Sequence, residues 1–199
     1  MKVQRLDISV YRIPTDRPEA DGTIEWTSTT MVLVEARADS GHRGIGFSYA
    51  SAAAAALIHE LLTDEVVGMP VDDVGRAWGE MVRRVRNAGR PGIASTAISA
   101  VAVALWDLKA RALDVPLFQL LGARRDRVPS YGSGGFTSYS ESELAEQLGG
   151  WVSQGIPRVK MKIGKGWGTR PDEDVARVKV ARDAIGPNAE LFVDANGAY

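Results

Sequence analysis

Polar and apolar residues alternate from the start of the chain. Val3, Leu6, Ile8, Val10, Tyr11 and Ile13 stand among polar neighbours, as in a strand with one face buried. Residues 29–38 read as a second strand and 44–49 as a third, with Asp39-Ser40-Gly41 as the turn between them, which predicts an antiparallel meander. Residues 14–28 are rich in Pro, Asp, Glu and Gly, with Trp26 near the end, and read as a long loop of the functional or mobile kind. Helical patterns follow over 52–62, over 71–85 behind Pro70, and over 93–113, the last Ala-rich and apolar on more than one face and therefore expected to be buried. A short helical piece is expected over 116–121, ended by Gly122.

The charged run 123–127 marks a change of pattern. Strands are predicted at 128–131, 158–163 and 191–194, with helices at 141–154 and 172–185 between them. Such alternation implies parallel strands joined by crossover helices. The expected organisation is an α+β domain over residues 1–125 and the opening units of a β/α array over 126–199.

Composition adds exclusions. The chain has 199 residues, 45% hydrophobic and 25% charged, as in a soluble globular protein. The net charge of −1 gives no reason to expect nucleic acid or an anionic membrane as partner. Cysteine is absent, which removes disulfides and thiolate chemistry and fits a reducing compartment. No signal-peptide core opens the chain, and no unbroken apolar run approaches the roughly 18 residues of a membrane span. A cytoplasmic location is expected.

The candidate chemistry sits in Val159-Lys160-Met161-Lys162-Ile163. On a strand, Lys160 and Lys162 share one face and Val159, Met161 and Ile163 the other. Two ammonium groups that close are expected to lower each other's proton affinity, so that one can act as a general base near neutral pH. Asp194, at the end of the next strand, is placed to hold a hard cation beside that base. Periodicity alone leaves an ordinary solvated sheet face open as the alternative. Gly132-Ser133-Gly134-Gly135 fits neither phosphate-loop pattern and reads as a strand-end turn. Trp78 and Trp106 read as core, Trp26 as a loop anchor, and Glu19, Asp21 and Glu25 as solvated loop.

Three motifs in order resemble the enolase superfamily, in its mandelate racemase and muconate lactonizing branch. They are Ala104-Leu105-Trp106-Asp107-Leu108-Lys109-Ala110 with Pro116 and Leu120-Leu121-Gly122, then Val159-Lys160-Met161-Lys162-Ile163-Gly164, then Leu191-Phe192-Val193-Asp194-Ala195-Asn196-Gly197. Ala123 stands where many relatives have a second glycine. The resemblance implies an α+β capping domain followed by about three β/α units of a TIM-type barrel. It implies Lys162 as the base that removes a proton α to a carboxylate, and Lys160 as the group that tunes it and meets the substrate carboxylate. Asp194 becomes one ligand of Mg²⁺, which stabilises an enediolate intermediate, and Asn196 a substrate contact. Lysine bases with Mg²⁺ are the general pattern for that superfamily. The segment 14–28, with Ser48 and Tyr49, becomes a lid over the distal part of the substrate.

The implied activity is dehydration of a sugar acid, or racemisation or epimerisation of a hydroxy acid. A muconate-type cycloisomerase or a dipeptide epimerase stays open, as does a non-catalytic interaction module. A nucleotide-binding domain ranks last for want of a glycine fingerprint. A complete barrel takes roughly 250 residues, so only about three of its strands fit after residue 127. Further ligands and a second acid or base are implied on strands beyond Tyr199, and His42 and His59 fall in the capping domain. The expectation is a truncated piece without substantial activity alone and with a poorly stable C-terminal part, the whole enzyme being a homo-oligomer.

Overall fold

Val32, Val34, Ala36 and Ala38 are buried and alternate with more exposed residues along β2 (Glu25–Ala38), the period of a strand with one face on a core. β2 lies between β1 (Val3–Ala20) and β3 (Arg43–Tyr49). It pairs antiparallel with β3, from Met31 opposite Tyr49 to Arg37 opposite Arg43. The computed structural model describes residues 1–199 and divides them into two units, 1–13 with 28–126 and 14–27 with 127–199.

In the first unit, a helical stretch runs through α1 (Ala53–Leu57), a π-helical turn at Ile58–Leu62 and α2 (Thr63–Val66). α3 (Val74–Arg84) and α4 (Ile93–Ala112) complete the layer, followed by the short α5 (Leu117–Leu120). Ile58, Leu62, Met81, Val101 and Leu108 are fully buried in one cluster with the sheet residues. α4 lies so close to β3 that a Cβ on Gly44 or Gly46 would run into the helix backbone at Ala100, Ala104 and Leu108. Asp107 on α4 accepts the N–H of Ile45 at 2.8 Å, capping a free amide of the edge strand. By length and composition α4 could cross a membrane, but its buried residues lie in this core. Trp78, expected in the core, is instead 43% exposed with the Arg90 guanidinium stacked over its ring.

The second unit holds a parallel sheet in the order β4 (Gly132–Ser133), β5 (Arg158–Lys162), β6 (Glu190–Asp194). α6 (Glu141–Ser153) and α7 (Pro171–Ile185) are the crossovers. Leu144, Leu148, Val159, Met161, Ala181 and Ile185 form their shared core. A capping box starts α6: Ser140 Oγ accepts from Glu143 N–H, and Ser140 N–H donates to Glu143 Oε2 at 2.8 Å. Pro171 opens α7 and Gly186, at φ 74°, ends it.

Two elements differ from the sequence reading. Residues 14–28 form no long loop: β1 and β2 continue as a hairpin and turn only at 21–24. Pro14 and Pro18 are tolerated because β1 is an edge strand. The hairpin tip, which the sequence reading keeps with residues 1–125, groups with the second unit. The strand expected at 128–131 is absent, Val128 being 75% exposed, and pairing begins at Gly132. There the ring of Trp151 occupies the space that a Cβ on Gly132 would need.

Candidate active site

β5 buries Val159 and Met161 completely and turns Lys160 and Lys162 to its other face. The pairing with β6 sets Lys162 opposite Asp194, the last residues of their strands. Asp194 Oδ2 accepts from Lys162 Nζ at 2.7 Å and from Lys160 Nζ at 3.0 Å. Lys162 Nζ donates further to Asn196 Oδ1 at 2.8 Å, and the Asn196 N–H donates to Asp194 Oδ1 at 3.1 Å. Asn196 reaches this position through a left-handed backbone, φ 50°, followed by Gly197 at 77°. The four residues singled out in the sequence thus meet in one hydrogen-bonded group. Lys160 also lies over the ring of Tyr131, 5.6 Å from its centroid, and that ring meets Phe192 edge-on.

The electrostatics correct the expectation drawn from two like charges. The hydrogen bond to Asp194 raises the proton affinity of Lys160 above its ordinary value and outweighs the opposing effect of burial. Hydrogen bonds from Lys162, Lys160 and the Asn196 N–H hold the Asp194 carboxyl well below the usual carboxylate range. A shared anion, which strand periodicity does not reveal, decides the balance.

The hairpin tip is seated beside this group within the same unit. Asp21 Oδ1 accepts from the Thr23 N–H at 2.6 Å, the Thr23 hydroxyl at 2.9 Å and the Ile24 N–H at 3.0 Å, which makes the turn. Burial pushes the Asp21 carboxyl up, but those donors, with the charge of Lys162, bring it below its ordinary value. Thr137 donates its N–H to Ala20 O at 2.8 Å and its hydroxyl to Asp21 O at 2.6 Å; Ser138 Oγ reaches Pro18 O and Trp167 N–H reaches Gly22 O. Trp26 donates to Glu19 at 2.8 Å and meets Phe136 edge-on, as an anchor. Glu19 and Asp21 are therefore structural acceptors rather than solvated charges. A cavity of about 300 Å³ opens here, lined by Asp21, Thr23, Thr137, Lys165 and Trp167 among others.

Asp194 supplies the hard oxygen donor that Mg²⁺ takes, and its carboxylate fits as one ligand. No group of three acidic or histidine side chains that could hold a metal ion occurs in the chain. Sequence reasoning passed over Thr137, Tyr131, Asp174 and Arg177. The last two, three apart on α7, carry a usable signal: both fall on the helix's buried stripe.

An α+β capping unit followed by parallel β/α repeats, with charged groups at strand C-termini, defines a capped barrel-type protein, in which chemistry belongs at that end of the strands. Residues 8–122 match the mandelate racemase / muconate lactonizing enzyme N-terminal domain, and 143–199 the enolase C-terminal domain-like family. The chain belongs to the mandelate racemase/muconate lactonizing enzyme family of the enolase superfamily. A mandelate racemase/muconate lactonizing enzyme-like protein from Rubrobacter xylanophilus is similar over 100% of this chain and 54% of its own, with 49% identity and a TM-score of 0.96. The L-talarate/galactarate dehydratase of Salmonella typhimurium, crystallised with Mg and L-lyxarohydroxamate, is 30% identical over 98% of this chain and 52% of its own, at a TM-score of 0.89. The 3,6-anhydro-alpha-L-galactonate cycloisomerase of Streptomyces coelicolor is 33% identical over 98% of this chain and 54% of its own length. The chain thus spans about half the length of the relatives it matches.

Proposed function

We propose that the whole protein is a Mg²⁺-dependent enzyme that removes the α-proton of a hydroxy-carboxylate, with sugar-acid dehydration favoured over racemisation or epimerisation. The observation that carries this is the group at the ends of β5 and β6, where Asp194 bridges Lys160 and Lys162 and Asn196 completes the ring of hydrogen bonds. Lys162, the last residue of β5, is the base on this reading, since chemistry in β/α barrels belongs at the C-terminal ends of the strands. Lys160, whose ammonium lies over the Tyr131 ring, meets the substrate carboxylate on this reading. Asp194 would hold Mg²⁺ on this reading as one ligand of several, and the ion, when bound, would supply Lewis-acid charge to stabilise an anionic substrate. Asn196 orients the substrate, and the docked hairpin tip reads its distal end. The relatives support a sugar-acid substrate: one is named for talarate and galactarate dehydration, another for isomerising an anhydro-galactonate. The remaining assignments are a cytoplasmic location and a homo-oligomeric whole enzyme, with no membrane or nucleic-acid partner.

The test is to incubate the whole protein and Mg²⁺ with a panel of aldonic and aldaric acids in deuterated buffer. Loss of the α-proton signal with release of a keto-deoxy acid is the expected result. Opening of an anhydro or lactone ring without loss of water would instead favour the cycloisomerase reading, for which the Streptomyces relative is the motive. No exchange with any acid leaves a non-catalytic module.

A further inference from the structure

Two ionisable side chains of α7 take no part in the chemistry proposed above, although both are nearly excluded from solvent. Asp174 is 4% exposed and Arg177 5%. Three residues apart, they share one face of the helix. Asp174 Oδ2 accepts from the Gly164 N–H at 2.7 Å and from the Tyr199 hydroxyl at 2.8 Å. Arg177 donates to three main-chain carbonyls: Tyr139 at 2.7 Å, Phe136 at 2.8 Å and Gly135 at 3.2 Å. Each also keeps a buried atom with no hydrogen-bond partner, Asp174 Oδ1 and Arg177 Nε. Buried charges with unsatisfied atoms are a poor way to gain stability, since apolar side chains of similar volume fill such space at lower cost.

What the pair does achieve lies in the backbone around Lys162. Gly135 O, held by Arg177, also accepts the Lys162 N–H at 3.0 Å. The next amide, Ile163 N–H, donates to Asp194 O at 3.0 Å, and the one after it is the Gly164 N–H that Asp174 holds. Gly164 lies at φ 86°, where a Cβ would stand 2.6 Å from that of Ala198, so a side chain at 164 has no room. Three successive amides, 162, 163 and 164, are thereby tied to three fixed acceptors. Arg177 also grips the loop whose Thr137 seats the hairpin tip. We propose that Asp174 and Arg177 are positioning residues that fix the Lys162 backbone and the hairpin seat together. The catalytic consequence rests on the reading of Lys162 as the base.

The test has a readout that needs no substrate. Amide hydrogen exchange, followed by NMR in the whole protein, is expected to quicken roughly tenfold at Gly164 in Asp174→Ala, the effect of losing one hydrogen bond. Asp174→Asn, which keeps an acceptor, is expected to restore protection. Arg177→Met is expected to quicken exchange at Lys162, and Arg177→Lys to recover part of it. Displacing a base by a fraction of an ångström is expected to lower kcat for α-proton exchange roughly 10- to 100-fold with KM nearly constant, and the conservative variants to regain most of that. Unchanged exchange at 162 and 164 overturns the proposal. So does a wild-type kcat per folded molecule in variants whose only defect is a lower melting temperature. Should the wild-type protein exchange no α-proton at all, the functional reading fails, and the amide measurement still decides whether the pair fixes Lys162.

Discussion

At the scale of single residues, Asp194 uses both of its carboxylate oxygens. It accepts two ammonium groups on one oxygen and the Asn196 amide on the other. Lys162→Ala is expected to lower α-proton exchange roughly 10²- to 10⁴-fold in the whole enzyme, the usual contribution of a positioned base. Exchange in deuterated buffer checks it, and a near-normal rate would move the role elsewhere. Asp21 makes a prediction of a different kind, about stability. Its carboxylate gathers the donors of the hairpin turn, and Asp21→Ala is expected to cost about 1–2 kcal/mol at the tip. Because the folded carboxyl titrates below its unfolded value, its contribution is fully present above about pH 4 and is lost as pH falls through the lower, folded value. Acid titration of the Thr23 amide resonance follows this directly, and Asp21→Ala is expected to flatten the response.

At the scale of elements, the α6 capping box and the α4–β3 contact carry the local energetics. Ser140→Ala removes the hydroxyl that receives Glu143 N–H and is expected to cost about 1 kcal/mol, read as a shifted urea midpoint with an unchanged slope. Gly46→Ala is expected to cost about 1–3 kcal/mol or more, because the new methyl meets helix backbone that has nowhere to go. Elements of this kind also show where sequence is legible. β5 and β2 are readable because one buried face imposes strict alternation, as at Val159 and Met161 or Val32, Val34 and Ala36. The hairpin over 14–27 is not, because Pro14 and Pro18 signal a loop unless the strand is known to be an edge. β4 is hidden for another reason: two residues, one of them glycine, carry no periodicity, and the apolar cues at Val128 and Tyr131 precede the pairing. At the site, Lys160, Lys162, Asp194 and Asn196 could be named from motif and face. The raised proton affinity of Lys160 depends on a partner more than thirty residues away and leaves no local trace; for Asp174 and Arg177 the buried stripe of α7 marks the positions, but not the distant carbonyls that Arg177 grips.

At the scale of the whole molecule, the two units differ in how completely their elements cover one another. The first wraps its sheet with four helices into one large buried cluster. In the second, β6 is an edge strand, with Val193 51% and Phe192 39% exposed. In the 199-residue chain, the second unit is therefore expected to open at lower denaturant than the first. Native-state hydrogen exchange in rising urea distinguishes this from a single shared transition, which would argue against it.

The seat of the hairpin tip has a consequence for how such a protein can change over generations. Thr137, Ser138 and Trp167 hold the tip by its carbonyl oxygens, at Pro18, Ala20, Asp21 and Gly22. Carbonyls are the same whatever side chain the residue bears. Apart from Gly22, where a Cβ would meet Gly164 O and the Ala198 side chain, the turn-making Asp21 and the Trp26–Glu19 anchor, positions on the hairpin can therefore drift, or be randomised in a library, while the plug still finds its socket. On the proposed reading of the tip as the part that meets the substrate's distal end, that preference becomes a cassette, exchangeable without retooling the lysines and carboxylate of the site.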